Sequence, residues 1–162
     1  MDINQPQLSF EITHRDEEMI QVDVMASNGR YTGTTSFYSD ANGKELFEFV
    51  KKLQGFPKEV GQVEEQEFGY TKNEILHLKE SNLGFKTAMW YVGLKFFCFD
   101  KTWHTAVSIV LLEENWTERE EARGQASFEL KFDPAQLDEF VQELIVLAES
   151  KEGKATLIGR LA

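Results

Sequence analysis

The chain has 162 residues, 41% of them hydrophobic and 12% aromatic, with 28 acids against 17 bases and a net charge of −11. A chain of this length is most simply one domain, able to bury roughly 70% of its unfolded surface without a disulfide or metal to staple it. The acidic field favours solubility, repels nucleic acid and anionic lipid, and leaves a basic protein as the better-matched partner.

The start, "MDINQPQLSF", is polar and acidic, unlike a signal peptide. "LSFEITHR" (8–15) alternates apolar and polar residues as a strand does, and "EMIQVDVMAS" (18–27) repeats the period with Ile20, Val22 and Val24 on one face. "NG" at 28–29 predicts a type I′ hairpin turn, with positive φ at both central positions, and "RYTGTTSFYS" (30–39) is the return strand. "DANG" breaks the sheet, with Asp40 or Asn42 as a helix cap. From Lys44 to Leu53, Leu46, Phe49, Val50 and Leu53 form one apolar helical stripe, which "QGFP" ends.

Beyond it, "VGQVEEQEF" (60–68) and "EILHLKE" (74–80) read as short strands, and "SNLG" (81–84) as a turn. "FKTAMWYVGLKFFCFD" (85–100) is a long strand with Trp90, Val92, Leu94, Phe96 and Cys98 on one face, paired with "TWHTAVSIVLLEE" (102–114). The single cysteine, Cys98, alternates with aromatics and reads as a buried, inert thiol, which fits a reducing cytoplasm. "RGQASFELKF" (123–132) is the next strand. Asp133 and Pro134 then open a helix to about Ser150, followed by a small apolar tail. No run approaches the roughly 20 apolar residues of a membrane span.

The chain writes one pattern twice. "SFYSDANGKELFEFVKKL" (36–53) returns as "SFELKFDPAQLDEFVQEL" (127–144) at a spacing of 91, which also carries Gly33 onto Gly124. "MIQVDV" (19–24) aligns with "AVSIVL" (106–111) at 87, so a four-residue insertion falls in the second hairpin. Insertions are cheap there. The expected fold is α+β: two strand-strand-helix repeats forming curved, mainly antiparallel sheet with two packed helices. The expected organisation is one domain over 1–162, with repeats at about 1–57 and 58–150 and a short tail at 151–162.

Motifs for chemistry are missing. His14, His77 and His104 are far apart in the chain, and each reads as a sheet-surface residue. There is no metal-ligand spacing, nucleophile elbow or phosphate loop. Glu65 and Glu67 share one strand face while Glu64 points the other way, as on a solvated edge strand. No catalytic residue, metal or cofactor is therefore expected, and the chain is read as a non-enzyme.

One segment stands apart. "EENWTEREE" (113–121) sets Trp116 among Glu113, Glu114, Glu118, Glu120 and Glu121, and it coincides with the insertion. An aromatic ringed by acids has the composition of an anchor for a basic partner. The other reading is that Trp116 folds back to cap the hairpin end while the acids stay solvated.

The order of strands then helix, twice, resembles the Whirly and PUR-type single-strand-binding domains in topology. That likeness implies a nucleic-acid module, but both halves here are acidic, with 10 acids against 6 bases in residues 1–60. "LFEFVKKLQGF", the strand "ILHLKE", the turn at Gly84 and the closing "LDEFVQEL" resemble small bacterial domain families of unknown function, some suspected to be immunity proteins of toxin systems. The Trp expected shortly after the first helix is replaced by Phe56 or Tyr70. The resulting expectation is a cytoplasmic, immunity- or antitoxin-like protein that binds a basic partner, with a homodimer left open. The alternatives are a Whirly- or PUR-like single-strand binder and an enzyme with its site between the repeats.

Overall fold

The computed structural model describes residues 5–70, 88–102, 104–116 and 121–161, with 88, 89, 114–116 and 121–123 described through the backbone alone. The elements run β1 (Gln7–Arg15), β2 (Met19–Ser27), β3 (Thr32–Asp40), α1 (Lys44–Leu53), β4 (Val63–Gly69), β5 (Ala88–Cys98), β6 (Thr105–Trp116), β7 (Glu121–Phe132), α2 (Pro134–Ser150) and β8 (Gly153–Ile158). The fold is α+β, and the strands form two antiparallel four-stranded sheets, ordered β3-β2-β1-β8 and β4-β5-β6-β7. The predicted strand at 74–80, the turn at 81–84 and His77 lie outside the described residues.

The internal repeat is a repeat of structure. Val22 pairs with Phe37 and Val24 with Thr35 in the first sheet; Ile109 pairs with Phe128 and Leu111 with Ala126 in the second. These are the partners that the sequence spacings of 87 and 91 carry onto one another. Each repeat reads β-β-β-α-β, and its last strand crosses to the other sheet: β4 pairs with β5, and β8 pairs with β1. The segment read as an apolar tail thus supplies β8, which hydrogen-bonds the N-terminal strand. Its Ala155 and Leu157 alternate into the core, which explains the small apolar residues there.

Apolar spacing places the helices. Leu46, Phe49, Val50 and Leu53 of α1 are buried, as are Leu137, Phe140, Val141 and Leu144 of α2, and the helices pack on each other. Five rings from both sheets and both helices meet at the centre. Phe10 stacks on Phe49, with centroids 5.6 Å apart and planes 18° from parallel, and meets Phe37, Phe68 and Phe140 edge-on. Such pairs add about 0.5–1.5 kcal/mol each beyond the area they bury. Cys98 is buried and free, with its thiol directed at the Asp100 carbonyl.

Local signals mostly hold. Asp133 and Pro134 start α2, and the Asp133 N–H donates to Gln136 Oε1 at 2.7 Å, one arm of a capping box. Two details differ. The residue before α1 is Gly43, in the left-handed region at φ 68°; Asp40 Oδ1 accepts the Lys44 N–H at 3.4 Å, and Asn42 does not cap. At 28–29 only Gly29 takes positive φ (94°). The reversal uses four residues because Asn28 Oδ1 accepts the N–H groups of Arg30 and Tyr31, both at 2.9 Å, so an Asx closure replaces the type I′ turn.

Candidate functional site

The insertion lengthens the second hairpin. In the first repeat the β2–β3 ladder ends at Ser27 opposite Thr32. The equivalent pair, Glu114 opposite Arg123, is followed by Asn115 opposite Ala122 and Trp116 opposite Glu121. The predicted segment is thus an antiparallel arm two residue pairs longer than its counterpart. The side chains of Glu114, Trp116 and Glu121, and all of Glu118 and Glu120, lie outside the described residues.

Glu113, the remaining member of the set, is exposed and lines a groove of about 430 Å³ on the outer face of the first sheet. The hairpin is held there by Thr35, whose Oγ1 donates to the Leu112 carbonyl at 3.3 Å. Glu11, Asp23 and Lys154 line the same groove. They form one row across the sheet: Lys154 pairs with Glu11, Glu11 with Asp23, and Asp23 with Ser36. Like charges directly opposite each other destabilise an antiparallel pair. Asp23 offsets this by accepting at Oδ1 from Ser36 Oγ (2.7 Å), Thr13 Oγ1 (3.2 Å) and Gln21 Nε2 (3.2 Å). Sequence reading missed Glu11 and Asp23 because only the register shows that they face each other.

A second concavity, of about 660 Å³, opens where the β2–β3 turn, the β5–β6 turn, the end of β7 and the segment after β8 meet. Arg30, His104, Lys131 and Arg160 line it with Glu129, over an apolar floor that includes Pro6, Phe99 and Leu130. His104 was expected on a sheet surface, but it precedes β6 on the turn, where Asp100 organises the chain. Asp100 Oδ1 accepts from Thr102 Oγ1 (2.7 Å), Thr102 N–H (2.9 Å) and His104 N–H (3.2 Å), while Oδ2 meets His104 Nδ1. The hydrogen bond from His104, then that from Thr102, hold the Asp100 carboxyl well below the usual carboxylate range. The Phe99 ring lies over the imidazole, with centroids 5.8 Å apart and planes 18° from parallel. "DKTWH" does carry a signal for this pair, an Asp and a His four apart across a strand turn.

An Asp–His pair is the orienting half of a general-base site, but a nucleophile must then meet the other imidazole nitrogen. Thr102 Oγ1 lies 2.9 Å from Nδ1, the nitrogen that Asp100 already engages, and it donates to Asp100. That geometry holds a turn. Among the described residues no group of three or more His, Cys, Asp or Glu is placed to hold a metal ion, and no helix is long and apolar enough to cross a membrane. Glu65 and Glu67 point outward from edge strand β4, while Gln66 and Phe68 are buried.

Comparison with family models, with curated proteins and with solved structures finds no match to this chain.

Proposed function

We propose that this is a non-catalytic binding domain that captures a basic protein partner, in the manner of an immunity or antitoxin protein, in a reducing cytoplasm. The observation that carries the reading is the meeting of Glu113, at the base of the lengthened hairpin, with Glu11 and Asp23 in one groove, three carboxylates against the single base Lys154. Two carboxylates set opposite each other cost stability in the free protein. A cationic segment laid along the groove would relieve that cost and gain charge-assisted hydrogen bonds. Trp116 would then serve as the aromatic anchor, with Glu114, Glu118, Glu120 and Glu121 steering approach.

The test uses a Lys/Arg-rich peptide as probe, measured by surface plasmon resonance against the full chain at two salt concentrations. Binding should weaken with salt. Glu113→Lys with Asp23→Asn should lower affinity about tenfold or more, and Glu118→Lys with Glu120→Lys should mainly slow association. Trp116→Ala should leave the melting temperature nearly unchanged and cost about 2 kcal/mol of binding. Peptide binding that ignores all these changes would overturn the reading. So would a submicromolar complex with single-stranded DNA at physiological salt, which would favour the single-strand-binding alternative instead.

A further inference from the structure

The 660 Å³ concavity reverses the charge of the molecule around it. In a chain of net charge −11, Arg30, Lys131 and Arg160 line it against one carboxylate, Glu129, with His104 beside them. Asp133, just outside, pairs with Arg160 at 3.5 Å. The three cations come from remote parts of the sequence, and backbone contacts of the last residues bring Arg160 to Lys131. Past β8 the chain crosses to β7, where the Arg160 N–H donates to the Lys131 carbonyl at 2.7 Å, and the Gly159 N–H donates to the Pro6 carbonyl at 2.8 Å. A Cβ at Gly159 would lie 2.5 Å from Leu130 Cδ1 and 3.0 Å from that same Lys131 carbonyl, so this close crossing favours glycine. The position equivalent to Lys131 in the first repeat is Asp40, by the spacing of 91. The charge at Lys131 is therefore a departure of the second repeat from the first.

Apart from Asn28 and Thr105, the rest of the lining is apolar and includes an aromatic platform. Phe99 is 50% exposed and is held flat against His104, which Asp100 fixes in turn. Leu161, 72% exposed, stands at the rim. A cavity of several hundred Å³ with apolar walls and a few convergent charged donors has the form of a small-molecule site. Guanidinium groups pair bidentately with phosphate, and a flat exposed ring stacks on a base.

We propose that this concavity binds a small organic phosphate bearing a planar ring, of nucleoside monophosphate size. The ring lies on Phe99, and the phosphate is held by Arg30, Lys131 and Arg160. The site stands apart from the acidic groove and does not depend on that reading.

Isothermal titration of the full chain with AMP, GMP, inorganic phosphate and adenosine tests it. AMP or GMP should bind at least tenfold more tightly than either inorganic phosphate or adenosine alone. Phe99→Ala should weaken the nucleotide about tenfold and leave inorganic phosphate unchanged. Arg30→Gln, on an exposed turn, should weaken both about tenfold. Should Phe99→Ala perturb folding, chemical-shift changes on nucleotide addition to the unaltered protein serve instead, and they must centre on Phe99, His104 and Arg160. Absence of nucleotide binding at millimolar concentration overturns the proposal, as does binding that neither substitution alters, or shift changes centred elsewhere.

Discussion

In the first repeat the hairpin stops at Ser27 and Thr32; in the second it runs two pairs further, to Trp116 and Glu121. The same contrast recurs at other equivalent positions. Asp40 stands where the second repeat has Lys131. Gly33 is packed against Ala126, whereas a Cβ on Gly124 would meet nothing within 4 Å among the described residues. The turns joining the first two strands of each repeat also differ, though not at aligned positions: His14, near the end of β1, lies beside Asp16 on open surface, whereas His104 lies beside Asp100 at the mouth of a cavity. Inside the molecule the repeats agree, since Leu46, Phe49, Leu137 and Phe140 are all fully buried. A shared core requires apolar residues at both copies of a helix stripe, whereas nothing in packing holds turns and strand ends alike. The ends are thus where the two repeats differ: the lengthened arm and the 660 Å³ cavity lie there, while the row of Glu11 and Asp23 crosses the middle of the first sheet.

The strongest test of the symmetric half of this comparison is truncation in the core. Phe49→Ala and Phe140→Ala should each cost about 3–5 kcal/mol, and Leu46→Ala and Leu137→Ala about 2–5 kcal/mol. Equivalent pairs should agree within about 1 kcal/mol by urea denaturation. A helix whose truncation is nearly neutral while its counterpart unfolds the protein would break the claim that the repeats share one core.

The two glycines sharpen the asymmetric half. A side chain at Gly33 must displace Ala126, so Gly33→Val should destabilise by about 1–3 kcal/mol. Gly124→Val faces open space on a strand, where a β-branched residue is favoured, and should be neutral or stabilise by a few tenths of a kcal/mol. Equal effects in thermal denaturation would mean that β3 is not pressed on the second sheet as described.

Much of this organisation was legible in the sequence because it is local. Stripes such as Leu46, Phe49, Val50 and Leu53 announce a helix at 3.6-residue spacing, and Asp133–Pro134 announces its start. The 91-residue spacing announced the repeat. What stayed hidden is non-local. That β4 and β8 exchange sheets depends on edge pairing, which no window of sequence encodes. The tail 151–162 looked like an appendage because Ala155 and Leu157 are too few to show a period. Glu11 and Asp23 became a pair only through register, and Arg160 joined Lys131 only through the crossing at Gly159. His104 was misplaced because a strand was extended through "TWH", where Asp100 instead gathers the chain into a turn.

Those two turns supply the smallest expected effect and the finest comparison. The Asp16 carboxyl is held below its ordinary value by N–H groups of Glu18 and Met19, then by His14; the Asp100 carboxyl is held further down, by His104 first and then Thr102. In the unfolded chain both titrate near the ordinary value of about 3.9. A carboxyl whose folded value is depressed binds fewer protons when folded, so its stabilising contribution is complete above the unfolded value. That contribution is lost as pH falls from there toward the folded value. Both turns face solvent, which screens the effect. Asp16→Asn and Asp100→Asn should each lower the urea midpoint slightly at pH 7 and flatten its fall between about pH 5 and 2, with Asp100→Asn flattening it more. Asp100→Asn should also release the imidazole that supports Phe99, so only this substitution should alter nucleotide binding at the cavity. Two variants with the same pH profile, both without effect on binding, would show that the second turn has no role beyond closing its hairpin.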